Sequence, residues 1–291
     1  MTGAAGDALE QPDFQLRDGR GLAVAEKWYL DALLPRPDPA LLVLTLVSLR
    51  VLGLPPLAWA AAELRSADGS VRRGATRARR VRGGHGWLEF GPVSIAGPRL
   101  RFRLGRLDGD LEIRPRHRPA VLCDPIVRDT RQLVRWWVEV PDADVSGRLW
   151  WPGGGREVKA RGYRDRVYAK AKPWRFPLVK LRWGHAAADD LATVWFEAET
   201  AEGTIRAGWE NGRVESALPR LPRLEDARLV LRERLAERLT GRARWLRPIA
   251  RFLTSDPCQL RWTADARLGN AWGRATYEEV AWGSAGLPLV A

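Results

Sequence analysis

The stretch Arg161-Gly162-Tyr163-Arg164-Asp165-Arg166-Val167-Tyr168 brings a phenol, a carboxylic acid and several guanidinium groups into one short run. On an extended strand successive side chains alternate between faces, so Tyr163 and Asp165 share one face and Arg164 and Arg166 take the other. If the Tyr163 face lines an apolar cavity, burial disfavours the charged carboxylate and leaves Asp165 able to act as an acid. If that face meets solvent, Asp165 is an ordinary surface charge paired with a neighbouring arginine. The residues alone leave both readings open.

Three further runs alternate in the same way. In Leu181-Arg182-Trp183-Gly184-His185, Trp183 and His185 fall on one face. A lone histidine on a strand is more often a hydrogen-bonded structural residue than a catalyst, so His185 carries both meanings. In Glu26-Lys27-Trp28-Tyr29-Leu30-Asp31-Ala32, the Glu26, Trp28 and Leu30 face opposes Tyr29 and Asp31. Over residues 133–140 the apolar face is Val134, Trp136, Val138 and Val140; the opposite face, with Arg135, Trp137 and Glu139, is either solvated or a functionalised cavity wall.

Several kinds of chemistry have no motif here. There is no G-x-G-x-x-G after a strand, no G-K-[ST], no H-E-x-x-H and no G-x-S-x-G elbow. Two cysteines, Cys123 and Cys258, are too few for a disulfide framework and form no C-x-x-C. His85, His117 and His185 stand far apart, which leaves little for a zinc site. The expectation is a protein that works with no metal and no cofactor.

The elements that must position these residues read mostly as strands. Period-two runs at 25–32, 41–49, 58–64, 100–104 and 111–114 are followed by others at 134–140, 147–151, 158–167, 179–185, 192–199, 204–210, 259–266 and 272–282. Turn signals such as Ala67-Asp68-Gly69, Pro152-Gly153 and Asn211-Gly212 separate them. Residues 41–62 are mostly apolar, but Arg50, Gly53 and Pro55-Pro56 interrupt them, so two strands around a turn fit better than a membrane helix. One segment breaks the texture. Residues 223–253 place Leu231, Leu235 and Leu239 at helical spacing behind the acids Glu225 and Asp226, which predicts a basic amphipathic helix. Such a helix either covers a sheet or lies on a membrane surface.

The chain of 291 residues has a formal net charge of +13. Five of its 48 basic residues are lysines and the rest arginines spread through every segment, so the excess alone does not mark a nucleic-acid site. The cluster Arg72-Arg73, Arg77, Arg79, Arg80 and Arg82 has no helix-turn-helix, zinc knuckle or RNP motif beside it, and no nucleic-acid partner is expected. Residues 1–20 are polar without an apolar h-region, which predicts a cytoplasmic protein with peripheral membrane contact through the 223–253 helix. Tryptophan is abundant, with 15 Trp against 4 Tyr and 6 Phe, and such rings serve cores, pockets and cation stabilisation alike.

Taken together, the early Trp28-Tyr29-x-Asp31-Ala32 strand, the Gly162-Tyr163-x-Asp165 strand, the Arg182-Trp183-Gly184-His185-Ala186 strand and the closing Tyr277-Glu278-Glu279-Val280 strand resemble the carotenoid 1,2-hydratase (hydroxyneurosporene synthase) family. Its superfamily also includes lipocalin-like Diels–Alderases and cyclases. The resemblance implies an all-β chain of two lipocalin-like antiparallel β-barrel domains: a tail over 1–20, a first barrel over 21–122 and a second over 123–291 containing the helical insertion at 223–253. It implies an apolar pocket and no cofactor. Tyr163 and Asp165 match the family's catalytic Tyr-x-Asp, while its His-x-Trp falls near Arg135 and Trp137, where the His position holds Arg.

The function expected is a cofactor-independent enzyme acting on an apolar unsaturated small molecule, polyene or terpenoid in kind. The reaction is acid-catalysed addition of water or conformational cyclisation. Asp165, Tyr163 and His185 are the expected catalytic groups, with Trp28, Tyr29, Asp31, Arg135, Trp137 and Trp183 contacting substrate. The alternatives are a non-catalytic carrier of an apolar pigment or lipid and a purely structural role.

Overall fold

Alternation of apolar and polar residues becomes antiparallel sheet along most of the described residues. The computed structural model describes residue 14 and residues 23–35, 40–51, 53–128, 132–172, 176–215, 222–234, 237, 247–248, 251 and 256–282. The strands are β1 (Ala23–Leu34), β2 (Ala40–Val51), β3 (Leu57–Ser66), β4 (Val71–Arg77), β5 (Val81–Gly84), β6 (Trp87–Phe90), β7 (Val93–Ala96), β8 (Arg99–Leu104), β9 (Leu107–Pro115) and β10 (Ala120–Arg128). They continue as β11 (Leu133–Trp151), β12 (Gly154–Lys170), β13 (Leu178–Ala188), β14 (Leu191–Thr200), β15 (Gly203–Glu210), β16 (Arg213–Glu215), β17 (Arg223–Arg234), β18 (Cys258–Leu268) and β19 (Ala271–Ala281).

Two sheets result. The larger runs β4-β3-β2-β1-β12-β11-β9-β8-β7-β6-β5, with β10 paired to β11; the smaller runs β16-β15-β14-β13-β19-β18-β17. The larger sheet curls until β4 meets β8, so closely that a Cβ at Gly74 would fall 1.5 Å from the Leu104 carbonyl oxygen; only glycine fits there. β11 bonds to β9 and β12 to β1, so strands from either side of residues 122–125 share the larger sheet. No helix among the described residues is long and apolar enough to cross a membrane, and residues 41–62 form β2 and β3 around an exposed Pro-Pro turn.

The long central strands are buried on both faces. Trp28, Leu30, Leu42, Leu44, Val140, Val145 and Phe102 fill the interior of the curled sheet. Tyr29, Leu41, Val43, Trp136, Val138 and Tyr163 point the other way and meet Trp183, Val194, Phe196 and Trp209 of the smaller sheet. Val134, Trp136 and Val138 keep one face as the sequence pattern predicts, but Val140 does not. Register shifts on either side of Val140 carry it across to the first interior.

The expected helical insertion is corrected in its first part. Arg223–Arg234 is a strand, β17, hydrogen-bonded along β18 with irregularities after Glu225 and Leu229 and a positive φ of 50° at Asp226. Ladder pairing with β18 overrides the local helical preference over Arg223–Arg234, and Leu235 and Leu239 of the expected spacing lie outside the described residues. Most of the remaining expected helix, from 235 to 253, lies outside the described residues.

Candidate active site

The chemistry collects in the second interior, between the two sheets. From β1 and β12 come Tyr29, Asp31, Tyr163 and Asp165; in the ladder Tyr29 lies opposite Asp165, and Asp31 opposite Tyr163. Each phenol donates to the carboxylate on its own strand, Tyr29 to Asp31 Oδ2 at 2.9 Å and Tyr163 to Asp165 Oδ2 at 3.1 Å. Gly162 makes this close fit possible. A Cβ there would sit 2.5 Å from Val145 Cγ2 and 3.0 Å from the Asp31 carbonyl oxygen.

The smaller sheet supplies the other side. His185 Nε2 lies 2.9 Å from Asp31 Oδ2, and its ring stacks on Tyr163 with centroids 4.5 Å apart and planes 7° from parallel. Trp183 stacks on Tyr163 at 5.5 Å and meets Tyr29 edge-on at 5.2 Å. Trp136 of β11 meets Trp183 edge-on at 5.9 Å. Glu278 of β19 accepts from Trp183 Nε1 at 3.2 Å, from Gln259 Nε2 at 2.7 Å and from the Arg261 guanidinium. Arg261 in turn lies 5.1 Å from the centre of the Tyr29 ring.

Within this shell the two aspartates differ. Asp31 is fully buried and held by Tyr29 and His185. Asp165 is 3% exposed, and its Oδ1 has no hydrogen-bond partner among the described residues. Burial pushes its pKa up to about 7, against the pull of the Lys27 charge, the nearby Trp136 indole and the Tyr163 hydroxyl, with Glu278 adding to the rise. The Tyr163 phenol is itself driven well above its ordinary range by burial and by the neighbouring Asp165 charge, so it stays a donor. The arrangement is a carboxyl group able to hold or release a proton at neutral pH, walled by aromatic rings.

Tyr29, Asp31, Tyr163, Asp165, Trp183 and His185, all expected at the site, are brought together. Trp28, Arg135 and Trp137 are not; their parity turns them to the opposite face of the same strands. There Arg166 pairs with Glu26 at 2.9 Å, with its guanidinium 5.1 Å from the Trp28 ring and 5.8 Å from the Trp137 ring. Arg135 lies 5.9 Å from the Trp137 ring, and Arg164 pairs with Glu139 at 3.0 Å. The face opposite Tyr163 and Asp165 thus belongs to the first interior, where buried arginines are paired with glutamates.

Lys27, Trp136, Gln259, Arg261 and Glu278 escaped sequence reasoning. Trp136 sat in a plain apolar face, and Arg261 and Glu278 sat on half-polar strands whose burial depends on a distant partner. Among the described residues no group of three or more His, Cys, Asp or Glu is placed to hold a metal ion.

No protein-family model matches the sequence, and no curated protein matches it either. The fold, in contrast, is shared with solved structures. An AttH-type protein from Nitrosomonas europaea is similar at a TM-score of 0.57 and 15% identity, over 96% of this chain and 98% of that one. CghA in complex with Sch210972 is similar at 0.58 and 13% identity, over 97% and 95%. Kievitone hydratase from Nectria haematococca is similar at 0.52 and 8% identity, over 88% of each chain. At these identities the likeness establishes the lipocalin-like fold.

Proposed function

We propose that the chain is an acid catalyst that protonates a carbon–carbon double bond of an apolar, unsaturated small molecule. The observation that carries this reading is Asp165, a buried carboxyl poised near neutrality, with one oxygen unpartnered among the described residues and aromatic rings around it.

In the proposed step neutral Asp165 gives its proton to one alkene carbon. A C–H bond forms from the π pair, and the adjacent carbon becomes a cation while Asp165 is left as a carboxylate. The faces of Tyr163, Trp183 and Trp136 stabilise that cation; a desolvated cation–π contact contributes about 2 kcal/mol. Water then adds to the cation, and the proton it loses returns to Asp165. Where a second double bond of the same substrate reaches the cation before water, a ring closes instead and loss of a proton restores the acid. Both routes balance with alkene, water and proton alone, so neither calls for a cofactor. The Asp31–His185 contact positions the stacked His185 and Tyr163 rings. Kievitone hydratase, which shares the fold, is by its name also a hydratase.

The test is incubation of the wild type and Asp165→Asn with an acyclic carotenoid in detergent, followed by mass spectrometry. A gain of one water in the wild type, reduced by 10²-fold or more in the variant as expected for loss of a general acid, supports the reading. Recovery of bound, unchanged polyene from both proteins overturns it in favour of carriage.

A further inference from the structure

The turn joining β2 to β3 is an apolar knob at one end of the curled sheet. Gly53, Leu54, Pro55 and Pro56 are all exposed there, and Leu54 and Leu57 are 63% and 50% exposed. Prolines limit the backbone freedom of such a tip, so holding it in one shape costs little further entropy. Isolated exposed leucines are ordinary on protein surfaces; two on a proline-stiffened turn with arginines around them are not.

Arginines gather round the base of the turn. Arg50 lies near the end of β2, Arg77 ends β4 opposite Trp59 in the ladder, and exposed Arg79 and Arg80 follow in the link to β5. The link is tied to the foot of the knob by the Ala78 amide, which donates to the Ala58 carbonyl at 2.8 Å. Arg50, Arg79, Ser48 and Pro56 also wall a cavity of about 90 Å³ that opens at this end. Its acid, Glu26, is buried and neutralised by Arg166 at 2.9 Å. Exposed Arg77, Arg79 and Arg80 thus put positive charge beside the hydrophobic tip.

We propose that this end of the curled sheet docks on an anionic bilayer surface, with Leu54 and Leu57 entering the acyl boundary and Arg77, Arg79 and Arg80 meeting lipid phosphates. Apolar insertion plus attraction to anionic headgroups is the general basis of peripheral membrane binding. A nucleic acid would use the arginines but gain nothing from the leucines. The proposal holds whether the site catalyses or carries.

Sedimentation with phosphatidylcholine vesicles, with and without phosphatidylglycerol, tests it. The expected result is at least tenfold stronger binding to the anionic vesicles. Leu54→Ser/Leu57→Ser should lose most of that binding, and Arg77→Gln/Arg79→Gln/Arg80→Gln should erase the preference for anionic lipid. A solvatochromic dye on Leu54→Cys should shift to the blue on anionic vesicles, and the same dye on exposed Asp68→Cys, in the turn at the opposite end of β3, should not. Full binding by the leucine variant, no dye shift at position 54, or tighter binding to duplex DNA than to anionic vesicles would overturn the proposal.

Discussion

Asp31 and Tyr163 are direct partners across the β1–β12 ladder, and two positions along it Tyr29 faces Asp165. Two Tyr-x-Asp segments thus run antiparallel and make a near-twofold square of two phenols and two carboxyl groups. The second sheet breaks that symmetry. His185 engages both oxygens of Asp31, whereas Asp165 meets no imidazole and faces the Trp136 indole. Identical residue types acquire unequal roles because one gained an imidazole and the other an apolar wall.

The raised pKa of Asp165 makes activity and stability both fall as pH rises, over different ranges. Activity needs the protonated acid, so kcat/KM should fall about tenfold per pH unit above about 7. The folded state binds this proton more tightly than the unfolded chain, whose value lies near 3.8. The wild type therefore loses stability as pH rises from about 4 to about 7 and stays at that reduced level above it. Asp165→Asn removes the slope, and at pH 8 should be more stable than the wild type by on the order of 4 kcal/mol, from about 1.4 kcal/mol per pKa unit. Urea unfolding of both proteins at pH 4 and pH 8 measures this. Equal stabilities at pH 8 would remove the case for a strained, poised carboxyl.

Asp31 should behave as the anchor of the square. Asp31→Asn weakens the bonds that Asp31 accepts from Tyr29 and His185, and bonds to charged groups contribute about 1.5–3 kcal/mol each. The variant should be destabilised by about that much. Combining it with His185→Gln should cost less than the sum of the two single changes, because both act on one contact. Strict additivity in denaturant titrations would show that the pair is not coupled.

Gly162 is the tightest test of geometry. An added methyl meets Val145 and the Asp31 carbonyl, so Gly162→Ala should cost about 1–3 kcal/mol as an overpacked site does. It should also lower turnover by more than the loss of folded protein explains, since the displaced strand carries Asp31. A variant of wild-type activity per folded molecule, measured beside circular dichroism, would place the active chemistry elsewhere.

Much of this site could be read along the chain because a strand assigns faces by parity. Tyr29 with Asp31, Tyr163 with Asp165 and Trp183 with His185 each share a side wherever their strands lie. What alternation cannot supply is which sides meet, or whether the other side is wet. Arg164 and Arg166 look like a solvated face, yet Glu139 and Glu26 accompany them into the interior of the curled sheet. Arg261 and Glu278 each have the polarity of a surface residue, and their burial follows from pairing with each other. The crossing of Val140 depends on irregular pairing near Pro141, and the strand over Arg223–Arg234 depends on β18. All of these are decided by residues distant in sequence.

The double burial of β12 bears on which sequence changes the chain can survive. Its odd positions, Tyr163 and Asp165, serve one interior and its even positions, Arg164 and Arg166, the other. Deleting or inserting one residue ahead of this run would exchange the two sets at a stroke, driving guanidinium groups among the aromatic rings and the acid among glutamates. Point substitutions at these positions damage one interior at a time, but a change of length damages both. Variation in the length of β12 should therefore be confined to its outer turn at Pro152-Gly153, where the two long strands meet solvent.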